Sequence, residues 1–227
     1  MGLSNRSSVE NALEELFQVE QKGRALADDI AGGPPDVVLT VLVDAIAQSR
    51  KLEDERERIA RLDSIAKILG ELGGPGGVDA LVDVLGSDEP EARHAAGVVL
   101  EDMAFERFKE VALGVERALA KLPHDHLALS ELPYILIEIP EPGVVKLVHR
   151  FLEHPNEEVV AAAIEACVEL GDASSVAKLA KLERDTRLVE LDDEGEADRT
   201  ADASVTIGEL AKEARLLLQS LEPEDDE

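Results

Sequence analysis

Chemistry needs side chains that can attack, move a proton or hold a metal, and in this chain the histidines come first: His94, His124, His126, His149 and His154. No two of them are four residues apart, the spacing that puts two ligands on one helical face. His124-Asp125-His126 could begin a metal site, but such a site needs at least three convergent ligands. The tripeptide reads more simply as a turn between helices, with His124 or Asp125 near an N-cap. The single cysteine, Cys167, falls in an apolar row with Val159, Ala163 and Leu170, the place of a small buried thiol rather than of a nucleophile or an attachment point. The acidic run from Leu188 to Asp202 carries Glu190, Asp192, Asp193, Glu194, Glu196 and Asp198 but lacks the alternating oxygens and the glycine of a calcium loop. It reads as a solvated loop. There is no glycine-rich phosphate loop and no Gly-x-Ser-x-Gly elbow. On these grounds no catalytic, cofactor-binding or metal-ligating residue is expected.

The elements that would carry any site are helices. Val9, Leu13, Leu16, Phe17 and Ile30 keep to one helical face, with Ser7 or Ser8 as N-cap and Gly32-Gly33 as stop. Pro34-Pro35 opens a second helix through Ser49, and residues 52–72 form a third, ending Glu71-Leu72-Gly73. No segment alternates with period two between hairpin turns, so no strand is expected. The helices repeat. At an offset of 67 residues Val78, Leu81 and Leu85 meet Val145, Val148 and Leu152, and Ala92, Ala96, Leu100 and Met103 meet Val159, Ala163, Cys167 and Leu170. Offsets of 31 and 98 align further apolar positions, so the unit is roughly 33 residues, two helices and two turns. One such pair is apolar on a single stripe and cannot bury it alone, whereas stacked pairs share a continuous core.

The composition agrees. The chain has 227 residues, and 23 Lys and Arg against 50 Asp and Glu give a net charge of −27, with 2% aromatics and no Trp. Such a chain lacks both the positive charge that neutralises phosphates and the rings that stack on bases, and it is repelled by anionic lipid, so neither nucleic acid nor membrane is expected as partner. One cysteine makes no internal disulfide. No apolar h-region opens the chain, and Arg6 stands where a myristoylation signal needs Ser or Thr. The apolar stretch Val37 to Val43 is far short of the roughly 20 residues that span a bilayer. A soluble protein of the cytoplasm is the expectation.

With the Glu-Leu-Gly endings, the Val-x-x-Leu first helices and Glu-Ala-Arg-x-Ala-Ala opening a second helix, the stretches from Gly73 through Ala104 and from Pro140 through Leu182 resemble HEAT-like repeats, most of all the short bacterial form first associated with phycobilin lyases. The resemblance implies an all-α fold, a right-handed α-solenoid of stacked antiparallel helix pairs of the armadillo/HEAT type. Residues 1–34 would be an N-terminal capping helix. Residues 35–221 would hold about five pairs, bounded 35–72, 73–103, 104–139, 140–171 and 172–221, with the acidic loop insertion at 188–202. Residues 222–227 would be a disordered acidic tail. Two departures stand out: Val160 replaces the basic residue that Arg93 supplies elsewhere, and Pro133 interrupts one second helix. Enzymes on this architecture need features missing here. Di-iron hydroxylases carry His-Glu pairs, DNA glycosylases a basic groove, and lyases a chromophore pocket, whereas residues 73–103 hold seven acids against the one base Arg93. The expected role is therefore a non-enzymatic protein–protein interaction scaffold or adaptor, without cofactor. An accessory enzyme, lyase-like or metal-dependent, and a self-assembling structural unit are the alternatives.

Second helices line the concave side in repeats that this chain resembles. Aligned on their last apolar residues Leu72, Met103, Ile139 and Leu170, these helices place Glu71, Asp102, Glu138 and Glu169 one residue earlier, one carboxylate per layer. An acid near a helix C-terminus opposes the macrodipole by a few tenths of a kcal/mol, so helix stability does not select it. A ladder for a basic peptide or protein is the functional reading, with Glu101, Glu131, Glu158 and Glu165 beside it. Tyr134, pointing away from the row Leu129, Leu132, Leu136 and Ile139, would be its anchor. A solvated family habit, or acidity kept for solubility in a salt-adapted cell, is the other reading. The sequence leaves the oligomeric state open.

Overall fold

The computed structural model describes residues 5–190 and 204–221. Ten α-helices follow in chain order: α1 Arg6–Ala31, α2 Pro35–Ser49, α3 Glu55–Leu72, α4 Gly74–Leu85, α5 Pro90–Lys121, α6 Ala128–Ile137, α7 Val144–Phe151, α8 Glu157–Leu170, α9 Val176–Leu182 and α10 Ile207–Leu221. Most starts are written locally. Asn5, Asp54 and Asn156 each accept the N–H of the residue three further on, and proline opens α2 and α5 where a missing N–H costs nothing.

The helices stack as an α-solenoid. One layer, the inner, runs α3, the first half of α5, α6, α8 and α10. The other, the outer, runs α2, α4, the second half of α5, α7 and α9. Their facing stripes merge into one apolar cluster that extends from Val38 to Leu218. Alanines let the layers approach: Ala92, Ala96, Ala161, Ala162 and Ala163 are all buried. The all-α expectation is borne out, with the following corrections.

First, α5 is two helices fused across a kink at Arg107, whose φ of −137° and ψ of 44° leave the helical region. Residues 90–106 belong to the inner layer and 108–121 to the outer. The pair boundary expected between residues 103 and 104 lies four residues before this kink, and no proline or glycine marks the break, so the helices join without a turn. Second, Pro133 does not interrupt α6: the helix runs through it from Ala128 to Ile137. The helix is short enough that Pro133 sits little more than a turn from its start, and the ring is buried in the core. Third, Leu188–Glu190 and Ser204–Thr206 pair as two antiparallel strands, β1 and β2, with Val189 opposite Val205. Three-residue strands are too short to show a period. The rest of the expected acidic loop, 191–202, and the tail 222–227 lie outside the described residues.

Helix α1 differs from the others in burying none of its residues. Ala27 and Ala31, near its C-terminal end, pack on the core, whereas Val9, Leu13, Leu16, Phe17 and Ile30 are exposed. No helix among the described residues is long and apolar enough to cross a membrane.

Candidate functional site

The inner helices carry the carboxylates into three successive grooves. Glu71 and Asp102 line the first, of about 560 Å³, between α3 and α5, over Val99 and Met103. Glu101, Glu131, Tyr134 and Glu138 line the second, of about 430 Å³, between α5 and α6, over Val98 and Ile135. Tyr134, Glu138, Glu165 and Glu169 line the third, of about 570 Å³, where α6, α8 and α10 meet over Ile164, Val168 and Leu217. Glu138 borders two grooves because it follows the last turn of α6. The helical register thus gathers eight of the nine residues singled out in the sequence. The ninth, Glu158, is exposed in the first turn of α8 and lines none of these grooves.

Lys67 and Arg107 line the first groove and Arg93 the second, and the other cations in ion pairs lie away from the grooves. Successive outer helices are joined by Arg50–Asp83 at 3.0 Å, Arg117–Asp79 at 2.7 Å, Arg150–Glu116 at 2.6 Å and Lys178–Glu153 at 3.4 Å. A second series, Arg58–Glu89, Arg93–Glu131 and Arg215–Glu183, joins the ends of neighbouring pairs. Among the described residues, none of Glu71, Glu101, Asp102, Glu138 and Glu169 is in an ion pair. Their mutual repulsion is visible at Glu101: burial first, then the charges of Glu138 and Asp102, push its carboxyl above the ordinary range, while His94 pulls the other way.

Two of the expected contact residues have structural duties. Glu131 accepts Arg93 Nε at 2.9 Å and is not an open ligand. The Tyr134 hydroxyl donates to Glu165 Oε2 at 2.6 Å, tying α6 to α8, and burial together with this bond raises its pKa. The ring itself remains exposed, so Tyr134 presents a face rather than a hydroxyl.

Sequence reasoning missed the role of the arginines. Arg58 and Arg93 occupy the same place, the fourth residue of their helices, and each donates to the turn before it: Arg58 to Leu52 O, Arg93 to Ser87 O and Asp88 O. In α8 that place is Val160. There Arg187, just before β1, reaches back and donates to His154 O at 3.0 Å and Pro155 O at 2.7 Å, held by Asp185. The departure at Val160 is compensated from the following pair, and the spacing of 27 residues between the two positions hides this from any local pattern.

The remaining reactive groups are internal. Ser175 Oγ lies 2.8 Å from His149 Nε2, both buried, and beside them burial pushes the Cys167 thiol up to about 11. By residue type Ser175, His149 and Asp172 look like a nucleophile set. Ser175 is fully enclosed, however, and Asp172 accepts the Ser174 N–H and hydroxyl. The trio is a polar knot joining α7, α8 and the turn before α9. The His124 ring stands edge-on to His154 with centroids 5.3 Å apart, while His126 Nδ1 accepts the Ala128 N–H. Among the described residues no three His, Cys, Asp or Glu come together as metal ligands.

No family model matches the chain, and no curated protein matches it. Solved structures do. One is an engineered protein of the Northeast Structural Genomics Consortium, 21% identical, with a TM-score of 0.33, covering 88% of this chain and 90% of that one. A second engineered protein from the same consortium is 19% identical with a TM-score of 0.35, covering 96% and 94%. A designed armadillo repeat protein is 14% identical with a TM-score of 0.33, covering 94% of each chain. No residue role is carried over from them.

Proposed function

We propose that the chain is a non-enzymatic scaffold or adaptor whose inner-helix face holds a basic, amphipathic segment of a protein partner. One observation carries this reading: along three consecutive grooves with aliphatic side chains on their floors, Glu71, Glu101, Asp102, Glu138 and Glu169 stand outside any ion pair among the described residues, although Lys67, Arg93 and Arg107 line the first two grooves. Charge kept only for solubility would be as well served on the outer layer, where Asp79, Asp83, Glu116 and Glu153 are paired instead. A segment with Lys or Arg on one side and aliphatic groups on the other satisfies both the rims and the floors. The exposed ring of Tyr134, at the junction of two grooves, would pack on its stem. The acidic grooves also disfavour nucleic acid, and a cytoplasmic setting goes with this reading.

The test is fluorescence anisotropy with labelled amphipathic helical peptides, one set Lys/Arg-rich and one with the same floor residues and Glu in place of the bases. Basic peptides alone should bind, more weakly as salt rises. Replacing Asp102→Asn, Glu138→Gln and Glu169→Gln together should weaken binding and flatten the salt slope. Equal binding of both peptide sets, or an unchanged slope in the variant, would refute the groove. Metal analysis and an absorbance spectrum of the purified protein separate the accessory-enzyme alternative, which requires bound iron, zinc or pigment.

A further inference from the structure

Seven large apolar side chains of α1, Val9, Leu13, Leu16, Phe17, Val19, Leu26 and Ile30, are exposed, remote in sequence from the grooves. Val9, Ala12, Leu16, Val19, Gly23, Leu26 and Ile30 follow a strict heptad: Val9, Leu16, Gly23 and Ile30 at a, and Ala12, Val19 and Leu26 at d. The seam faces solvent along its length, with Leu16 49%, Val19 63% and Leu26 52% exposed, because the core takes only the flanking Ala27 and Ala31. An amphipathic helix is marginal in water without something on its apolar face, yet α1 is well specified, with Asn5 and Ser8 forming a reciprocal capping box. We propose that α1 docks antiparallel on α1 of a second copy of this chain.

Charge chooses both the occupant and the direction. The seam is flanked by Glu15 and Lys22 at g and Glu20 at e. A parallel pair sets Glu15 against Glu20 of the other copy, twice. An antiparallel pair with a and d residues opposed places Val9 against Leu26, Ala12 against Gly23 and Leu16 against Val19, and it sets Glu15 beside Lys22, twice. Neither Glu15 nor Lys22 is in an ion pair among the described residues. Gly23, which weakens a helix interior and has nothing within 4 Å of a Cβ built on it, gains a purpose as the close-approach point for Ala12. The two-fold arrangement also brings the positive N-terminal end of one helix near Asp28 and Asp29 at the C-terminal end of the other, where the dipole of their own helix opposes them. Such a contact is self-complementary and closes at two chains.

Sedimentation equilibrium of the full chain over a concentration series tests this. A monomer–dimer equilibrium is expected. Leu16→Glu should weaken it about a hundredfold or more, while at concentrations where both proteins are monomeric their circular dichroism and unfolding transitions should coincide, since Leu16 is exposed in the monomer. Glu15→Lys should weaken the dimer roughly tenfold by opposing Lys22, and adding Lys22→Glu in the same chain should restore it. A stronger dimer with Glu15→Lys alone would reveal the parallel pairing, in which position 15 meets Glu20, and would overturn the proposal. A monomer at every concentration would overturn it too, leaving the seam to a different protein, as would a series of growing oligomers.

Discussion

At the residue scale, the two glycines that end inner helices make different demands. Gly73, with φ of +61° and ψ of −156°, has a backbone essentially confined to glycine, whereas Gly171, with φ of +62° and ψ of 20°, lies in the left-handed helical region. A Cβ at Gly73 would fall 2.1 Å from Arg107 Nη1, whereas Gly171 has open space. Gly171→Ala should therefore cost only the left-handed penalty, about 1 kcal/mol. Gly73→Ala should cost clearly more, about 2–3 kcal/mol, because its backbone conformation is nearly closed to other residues and because it displaces the guanidinium that donates to Gly70 O at 2.8 Å. Urea unfolding of the two variants measures the difference, and equal costs would refute the role given to Arg107. The histidines set the behaviour in acid. Burial lowers the pKa of His149, aided by Lys178 and opposed by Asp172, and burial with His124 lowers that of His154. A lowered folded-state value means that the unfolded chain binds the proton first. Their stability contribution is then whole above the ordinary histidine range, near pH 6.5, and is lost as the pH falls through it toward the folded-state values. The urea midpoint should drop between about pH 7.5 and 5, and His149→Gln should make the drop shallower.

At the element scale, Arg187 is the cross-strut of the last pairs. Its donors serve the carbonyls of the α7–α8 turn, a place that Arg58 and Arg93 fill from within their own helices. Arg187→Met keeps the stem and removes the donors, so about 1.5–3 kcal/mol should be lost. In a stack whose units contact only their neighbours, the loss stays local. Hydrogen exchange should accelerate in α7 to α10 and remain unchanged in α2 to α4. Uniform acceleration would show that the stack unfolds as one unit and not pair by pair.

At the scale of the whole molecule, the acids of the inner face oppose folding, and the proposed binding of a basic segment is what would offset this. With a net charge of −27, and four outer acids paired across neighbouring helices, uncompensated repulsion acts where Glu101, Asp102 and Glu138 come together. Neutralising Asp102, Glu138 and Glu169 should raise stability, by a few tenths to about 1 kcal/mol, as it weakens peptide binding. Salt should raise the melting temperature of the wild type more than that of the variant. A variant less stable than the wild type would mean that these carboxylates have structural partners and would remove them from the proposed site.

The sequence by itself determined what is periodic. The apolar stripes, the offset between Val78–Met103 and Val145–Leu170, and the Glu-Leu-Gly endings specify helix pairs that bury one stripe each, and a chain of such pairs has little choice but to stack. The register of a helix then carries Glu71, Asp102, Glu138 and Glu169 to one face, because residues at equivalent positions of stacked helices must share it. What only the tertiary structure decided lies between residues far apart in the chain. The kink at Arg107 rests on bonds to the α3–α4 junction: Arg107 donates to Gly70 O, and Glu110 accepts the Gly74 N–H at 2.6 Å. Arg93 removes Glu131 from the ladder, Tyr134 spends its hydroxyl on Glu165, and Arg187 stands in for a side chain missing at Val160. Each is a hydrogen bond or ion pair between neighbouring units, and its partner is chosen by how the units pack, which no periodicity within a single unit contains. The exposure of α1 belongs to the same class, since its apolar stripe is plain in the sequence, while the absence of a covering layer among the described residues emerges only from the stack.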